Sequence, residues 1–376
     1  MIKPSFFVET LAKNEIEFFT GVPDSLLKNI CAYITENSSK TNNIIAANEG
    51  GAIGLAAGYH LATGKIPVVY MQNSGEGNAV NPLMSLTDKD VYNIPVLLVI
   101  GWRGEPGVHD EPQHVKQGKV TCSMLETMGI RYEVLSLEEG EASKQISNAV
   151  TYMKETQEAY ALVIRKGTFE DYKFHSEEKN CDLMSREKAI QIAAATIDDN
   201  AVIVSTTGMI SRELFEYRTA RGETHERDFL TVGSMGHASQ IALGMALCEK
   251  RSIYCFDGDG ASIMHMGNMA IVGSLCPENY IHIVFNNGAH DSVGGQPTVG
   301  LSIDLPAVAR AVGYKNVCSV TDESEMRNSL LRAKRETGPT FIEVKVKKGA
   351  RKDLGRPTTT PVQNKTALMS FLKRTR

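Results

Sequence analysis

The sequence predicts an α/β protein of two domains, each a mainly parallel sheet with helices on both faces. Three observations predict it. Short apolar runs alternate with helical stretches along the whole chain, the pattern of parallel strands buried on both sides. A polar run without clear period, residues 169–184, separates two halves of similar size and reads as a linker. Four polar, glycine-rich clusters fall at predicted strand ends, where open parallel sheets gather their ligands.

The strand-like runs are residues 67–71, 95–101, 161–165, 201–205, 252–256, 281–285 and 341–346. Helical stretches lie between them at 51–61, 142–154, 186–197, 238–247 and 323–335. The expected division is a first domain over 1–170, a linker over 171–184 and a second domain over 185–376. The four clusters are Gln72-Asn73-Ser74-Gly75, Ser205-Thr206-Thr207-Gly208, Asp257-Gly258-Asp259-Gly260 and Asn286-Asn287-Gly288.

Composition excludes several classes. With 40 Lys and Arg against 44 Asp and Glu, the chain lacks the basic surplus of a nucleic-acid binder. The one basic cluster, residues 345–356, reads as solvated surface as readily as a site. No run approaches the roughly 20 apolar residues of a membrane helix, and Met1-Ile2-Lys3-Pro4-Ser5 lacks a signal-peptide pattern. Seven cysteines without paired spacing argue against a disulfide framework and a zinc site. A cytoplasmic location is the expectation.

The segment Asp257-Gly258-Asp259-Gly260-Ala261 follows an apolar run and precedes a helix. Its glycines let backbone amides approach a phosphate, and the helix start adds positive potential. Asp259 is a hard oxygen ligand suited to Mg²⁺, and the Asn286-Asn287-Gly288-Ala289 turn offers an amide oxygen and a backbone carbonyl to complete an octahedral shell. Alone, the first string reads equally as a tight turn. The two together, 25 residues apart, resemble the thiamine diphosphate fingerprint of the pyruvate decarboxylase and acetolactate synthase superfamily. That resemblance implies thiamine diphosphate and Mg²⁺ as cofactors, with Asp259, the Asn287 side chain and the Ala289 carbonyl on the metal. Gly258, Gly260, Ala261, Thr206, Thr207, Gly208 and Met209 would hold the diphosphate. In Val232-Gly233-Ser234-Met235-Gly236-His237, Met235 matches the residue that props the cofactor into its bent shape, and the Gly233 carbonyl would meet the aminopyrimidine.

Ala47-Asn48-Glu49-Gly50-Gly51-Ala52 completes the resemblance. A lone Glu before a helix start is usually a cap or a surface residue, but thiamine enzymes need one carboxyl at N1′ of the pyrimidine, and Glu49 matches it. The order implied is a pyrimidine-binding domain followed by a diphosphate-binding domain, two thiamine diphosphate-binding folds. The two halves of a site would come from different subunits of a homo-oligomer, at least a dimer. Only a short linker stands where longer relatives carry a middle domain. This departure points to the compact decarboxylases of 3-phosphonopyruvate and sulfopyruvate.

The strings Gly21-Val22-Pro23-Asp24-Ser25, Gln72-Asn73-Ser74-Gly75-Glu76-Gly77-Asn78, Gly101-Trp102-Arg103-Gly104, His109-Asp110-Glu111-Pro112-Gln113-His114 and Leu354-Gly355-Arg356-Pro357-Thr358-Thr359 look like the phosphonopyruvate decarboxylase family across essentially the whole chain. The reaction implied converts 3-phosphonopyruvate to phosphonoacetaldehyde and CO₂ through the thiamine ylide, a step of phosphonate biosynthesis. It needs an acid–base group and cations for the phosphonate. Asp24, His109, Asp110 and His114 are the acid–base candidates. Arg103, Lys116, Lys119, Arg351 and Arg356 are the cation candidates, though any single one of them reads better as solvated surface charge. Gln72 and Asn73 would orient the substrate carboxylate or the pyrimidine, or simply form a turn. Asp24 has a second reading as a helix N-cap. The alternatives are a sulfopyruvate decarboxylase, a carboligase acting on 2-keto acids, or a protein that binds the cofactor without chemistry. Glu49 counts against the last.

Overall fold

A computed structural model describes residues 1–174 and 182–374 of the chain. The chain divides between residues 177 and 178 into two compact units. The expected linker, 171–184, includes residues 175–181, which lie outside the described residues. Among the described residues no helix is long and apolar enough to cross a membrane.

In the first unit the strands are β1 (Phe19–Gly21), β2 (Asn43–Ile45), β3 (Val68–Gln72), β4 (Leu97–Gly101), β5 (Arg131–Val134) and β6 (Tyr160–Ile164). They form one parallel sheet in the order β2-β1-β3-β4-β6-β5. The helices are α1 (Pro4–Lys13), α2 (Lys28–Asn37), α3 (Glu49–Thr63), α4 (Glu76–Pro82), α5 (Pro112–Thr127) and α6 (Glu139–Thr156). Strand alternation sends Leu97 and Val99 of β4 into one apolar cluster and Leu98 and Ile100 into another. A strand buried on both faces must be apolar at every position, which is why β4 reads as an unbroken run. Each such side chain contributes about 1.5–3 kcal/mol by leaving water.

The second unit repeats the plan. Its main strands are β7 (Val202–Ser205), β8 (Asp228–Leu230), β9 (Ile253–Gly258) and β10 (Tyr280–Asn286), followed after a hairpin of β11 (Ala289–His290) and β12 (Gln296–Pro297) by β13 (Asn316–Val320) and β14 (Thr340–Lys345). The order β13-β14-β10-β9-β7-β8 is again fully parallel. Counted from the start of each unit, the two sheets have the same strand order. The helices are α7 (Arg186–Thr196), α8 (Met209–Ala220), α9 (Ala238–Ala246), α10 (Asp259–Met264), α11 (Gly267–Leu275), α12 (Leu305–Ala311), α13 (Glu323–Ala333) and α14 (Pro361–Arg374). Tyr254 and Phe256 of β9 enter one core, Ile253 and Cys255 the other.

This topology fixes where ligands gather. In the first sheet the chain leaves β1 toward one edge and β3 toward the other, opening a crevice at their carboxyl ends. In the second, β7 and β9 are the equivalent pair.

Candidate active site

The second unit builds an anion and cation cradle at the ends of β7, β9 and β10. After β7, Gly208 takes φ 98°, ψ −138° and leads into α8. A β-carbon there would lie 2.8 Å from the Ser292 hydroxyl, so only glycine fits, and the first amides of a three-turn helix stand behind it. Thr206 is buried, and its hydroxyl has no partner among the described residues. The Thr207 hydroxyl accepts from the Gly233 amide at 3.1 Å, tying this loop to the turn that carries Met235. In that turn Gly233, Ser234 and Gly236 all have positive φ, at 70°, 48° and 82°. Ser234 in the left-handed region is uncommon for a side-chain-bearing residue and marks a turn held by its surroundings. Met235 is half-buried.

Asp259 opens α10 directly after β9 and is 2 % exposed. The Thr298 hydroxyl donates to one of its oxygens. Burial, partly offset by that bond and by backbone amides, pushes the carboxyl up to about 6. Among the described residues Asp259 has no cationic side chain beside it. The Asn287 Oδ1 accepts the Ala289 amide at 3.0 Å, and its Nδ2 donates to Asp291 at 2.6 Å. Asp291 is held in turn by Arg186 at 2.8 Å, and Arg186 lies in a buried pair with Glu213. With the Thr298 amide on the Gly288 carbonyl, Ala289 occupies the non-hydrogen-bonded position opposite Pro297, so its carbonyl points away from the partner strand. Asn286 is a post beneath the turn, donating to the Gly300 carbonyl and to Glu343, both at 2.7 Å.

This donor set fits a diphosphate with a divalent cation. A buried carboxylate without a cation to balance it is costly unless a metal joins it. The orphaned Thr206 hydroxyl and the opening of α8 supply donors for the anion. Gly258, Gly260 and Ala261 form the strand-to-helix corner, and a β-carbon on Gly260 would lie 3.0 Å from the His290 ring.

The first unit holds the other cluster. Asn48 caps α3 by accepting the Gly51 amide at 2.8 Å, so Glu49 is not needed as a cap. Glu49 is 5 % exposed and accepts from Asn78 Nδ2 at 2.9 Å. A β-carbon on Gly75 would lie 2.4 Å from Glu49 Oε1; the glycine lets the turn after β3 close over the carboxylate. Glu76, in the same turn, is 1 % exposed, and burial pushes its carboxyl up to about 8. Nothing in the Gly75-Glu76-Gly77 string distinguishes a buried acid from a surface one, so Glu76 is not legible in the sequence.

Asp24 lies fully buried at the crevice between β1 and β3. Burial raises its carboxyl above the usual range, against hydrogen bonds from Gln72 and the Leu26 amide. Gln72 Nε2 donates to it at 2.5 Å, and Ser74 donates to Gln72 Oε1 at 2.6 Å. A β-carbon on Gly101 would lie 2.2 Å from Asp24 Oδ2. The helix after Asp24 begins at Lys28 with Leu27 at the cap position, so Asp24 is not its N-cap. Ser25 links this group to Arg103, whose Nη1 donates to the Ser25 hydroxyl at 2.6 Å. Arg103 grips Asp110 through two nitrogens, one at 2.7 Å, and the Gly104 amide adds a third bond at 2.8 Å. Burial alone would raise the Asp110 carboxyl, but the Arg103 guanidinium and the Gly104 amide together hold it below the usual range.

Ser25, Trp102, Arg103, His109, Asp110 and Lys166 line a cavity of about 200 Å³. Asn73 turns elsewhere, donating to the Arg103 carbonyl and to Thr121 at 2.8 and 2.9 Å. It fastens the loop after β4 to α5. Trp102 does the same by donating to the Gly118 carbonyl at 2.8 Å. His114 is buried on α5 near Gln117, and desolvation lowers its pKa. Among the cation candidates, Lys116 and Lys119 are exposed on α5, and Arg356 is exposed. Arg351 is surrounded by Glu187, Glu216 and Asp353. Of the five, Arg103 is the one placed with the acid–base candidates.

Residues 5–124 match the thiamine pyrophosphate enzyme N-terminal TPP binding domain, and residues 206–344 match the C-terminal TPP binding domain. The chain is 31% identical to a phosphonopyruvate decarboxylase of Streptomyces viridochromogenes, covering 96% of this chain and 93% of the relative. A phosphonopyruvate decarboxylase of Streptomyces hygroscopicus is also 31% identical, over 96% and 92% of the two chains. A sulfopyruvate decarboxylase of Methanosarcina acetivorans is 28% identical, over 91% and 90%. With both matched domains lying on the cradle and the carboxylate cluster described above, the chain belongs to the thiamine pyrophosphate enzyme family.

Proposed function

We propose that this protein decarboxylates 3-phosphonopyruvate to phosphonoacetaldehyde and CO₂, using thiamine diphosphate and Mg²⁺. The observation that carries this reading is the match to two phosphonopyruvate decarboxylases across both units at 31% identity, against 28% for the sulfopyruvate enzyme. The cavity beside Arg103 supports it: with three N–H groups given to Asp110 and Ser25, the guanidinium keeps one on each terminal nitrogen and its positive charge for a phosphonate.

Thiamine diphosphate, when bound, supplies an electron sink for cleaving the bond between a ketone carbon and its carboxylate. The protein's own residues do the rest. Asp259, Asn287 and the Ala289 carbonyl hold the metal. Thr206, Thr207, Gly208 and Met209 hold the diphosphate, and Met235 with the Gly233 carbonyl orients the ring system. Glu49 keeps a proton at the pyrimidine N1′. Asp24, whose buried carboxyl binds a proton more tightly than usual, donates one to the carbon that has lost CO₂. Arg103 and His109 meet the phosphonate.

The active form in this reading is a homodimer in which each cofactor lies between Glu49 of one copy and Asp259 of the other. The outer face of α3 supports it: Gly51, Gly54, Leu55, Gly58 and Leu61 recur at helical spacing, all exposed, with Leu61 75 % exposed. Such a face is expensive to leave in water and is suited to close helix contact.

The test is turnover with thiamine diphosphate and Mg²⁺, followed by ³¹P NMR for phosphonoacetaldehyde. The expected result is a kcat/KM on phosphonopyruvate well above those on sulfopyruvate and pyruvate. No turnover of phosphonopyruvate, or preference for the sulfonate, overturns the reading.

A further inference from the structure

The hairpin of β11 and β12 roofs the cradle of the second unit. Three contacts place it. The His290 ring lies against Gly260, the Ser292 hydroxyl against Gly208, and the Thr298 hydroxyl donates to Asp259. Gln296 belongs to this hairpin. It is fully buried, and neither its Oε1 nor its Nε2 has a hydrogen-bond partner among the described residues. A carboxamide brings two donors and an acceptor, and buried polar atoms are almost always paired, so one unpaired at both ends asks for an explanation.

Its direction follows from the ladder by two routes. Gln296 is directly opposite His290 in the antiparallel pair, and opposed residues project from the same face. Thr298, two residues along, shares that face by strand alternation. His290 meets Gly260, and Thr298 meets Asp259. The Gln296 side chain therefore projects toward the ground where the diphosphate corner and the metal-ligand carboxylate meet.

We propose that Gln296 is a further cofactor-binding residue, its carboxamide hydrogen-bonding to the bound diphosphate–magnesium unit. An anion with metal-held water offers both acceptors and donors, which is what a carboxamide without internal partners requires. The inference rests on the family's cofactor and is independent of the substrate.

Titration calorimetry of thiamine diphosphate in excess Mg²⁺ tests it, alongside melting of the protein without cofactor. In Gln296→Met the Kd rises about 10- to 100-fold, while the cofactor-free Tm stays level or rises, because an unpaired buried amide has been removed. Gln296→Glu, the same shape with a negative charge facing the diphosphate, binds more weakly still. Wild-type affinity in Gln296→Met overturns the proposal, as does a lowered cofactor-free Tm with unchanged affinity, which would mark a purely internal role. If Gln296→Met does not fold, wild-type affinity in Gln296→Glu overturns it equally. A protein that binds the cofactor through Gln296 yet leaves phosphonopyruvate untouched refutes the substrate reading alone.

Discussion

Two buried acids, Glu49 at the start of α3 and Glu76 at the start of α4, stand in different environments. Glu49 is bonded to Asn78 and freed from capping by Asn48, as a residue positioned against a ligand should be. Glu49→Gln keeps the shape and the Asn78 contact but cannot keep a transferable proton. Decarboxylation falls about 10²- to 10⁴-fold, and the melting temperature changes little; full activity in steady-state assays would refute the role given to Glu49. Glu76 has no such partner for its Oε1, and its carboxyl is pushed up to about 8 from an ordinary 4.5. The unfolded chain releases that proton near the ordinary value, whereas the folded chain holds it until about 8. Between these values the native state binds more protons, so stability is fully present at low pH and is lost as pH rises toward 8. At about 1.4 kcal/mol per pKa unit, even half of the indicated shift would cost about 2 kcal/mol by mildly alkaline pH. Denaturant unfolding of Glu76→Gln should show that loss flattened, with the variant more stable than wild type at pH 8 and not at pH 4. Equal slopes for the two proteins would place the buried charge elsewhere.

At the scale of elements, the sites hang on turns that tolerate no β-carbon. Gly75→Ala drives a methyl to 2.4 Å from Glu49 Oε1, and the turn between β3 and α4 must move. The expected cost is about 1–3 kcal/mol of stability, with cofactor-dependent activity lost out of proportion because Glu49 shifts too. Activity measured at a temperature where the variant is fully folded separates the two effects. The elements also show what a sequence can disclose. The runs at 67–71, 95–101, 161–165, 201–205, 252–256, 281–285 and 341–346 are all strands. The main-sheet strands missing from that set are β1 and the four edge strands β2, β5, β8 and β13. An edge strand lacks a neighbour on one side and carries exposed positions, as Arg131 does in β5, so it leaves no continuous apolar signature. β1 has only three residues. The candidate site divides in the same way. Asp24, Gln72, Glu49, Asp259 and Asn287 sit at strand or helix ends with recognisable neighbours. Arg186, Asp291 and Thr298 act through contacts across the fold, such as Arg186 to Asp291, 105 positions apart, and Gln296 stands out only by being buried without a partner; local strings carry no trace of either.

At the scale of the molecule, two units share one strand order, and the proposed site residues are divided between them: Glu49 and Asp24 lie in the first, Asp259 and Asn287 in the second. If the two parts of each site come from different copies of the chain, inactive variants should rescue one another. Glu49→Gln and Asp259→Asn are each expected to be inactive as pure proteins. Mixed, unfolded and refolded together, they form hybrid dimers in which one site combines both substitutions and the other has both native residues. Half of the dimers are hybrids, and half of their sites are intact, so about one quarter of wild-type activity should return. If Glu49 and Asp259 of the same chain served one site, every site in every hybrid would carry one lesion and no activity would return. A third variant, Gly58→Arg on the outer face of α3, should shift the protein toward monomer in sedimentation and lose activity with both half-sites chemically intact. A Gly58→Arg protein that remains dimeric and active would remove α3 from the interface, while the rescue assay would still report on the sharing of sites.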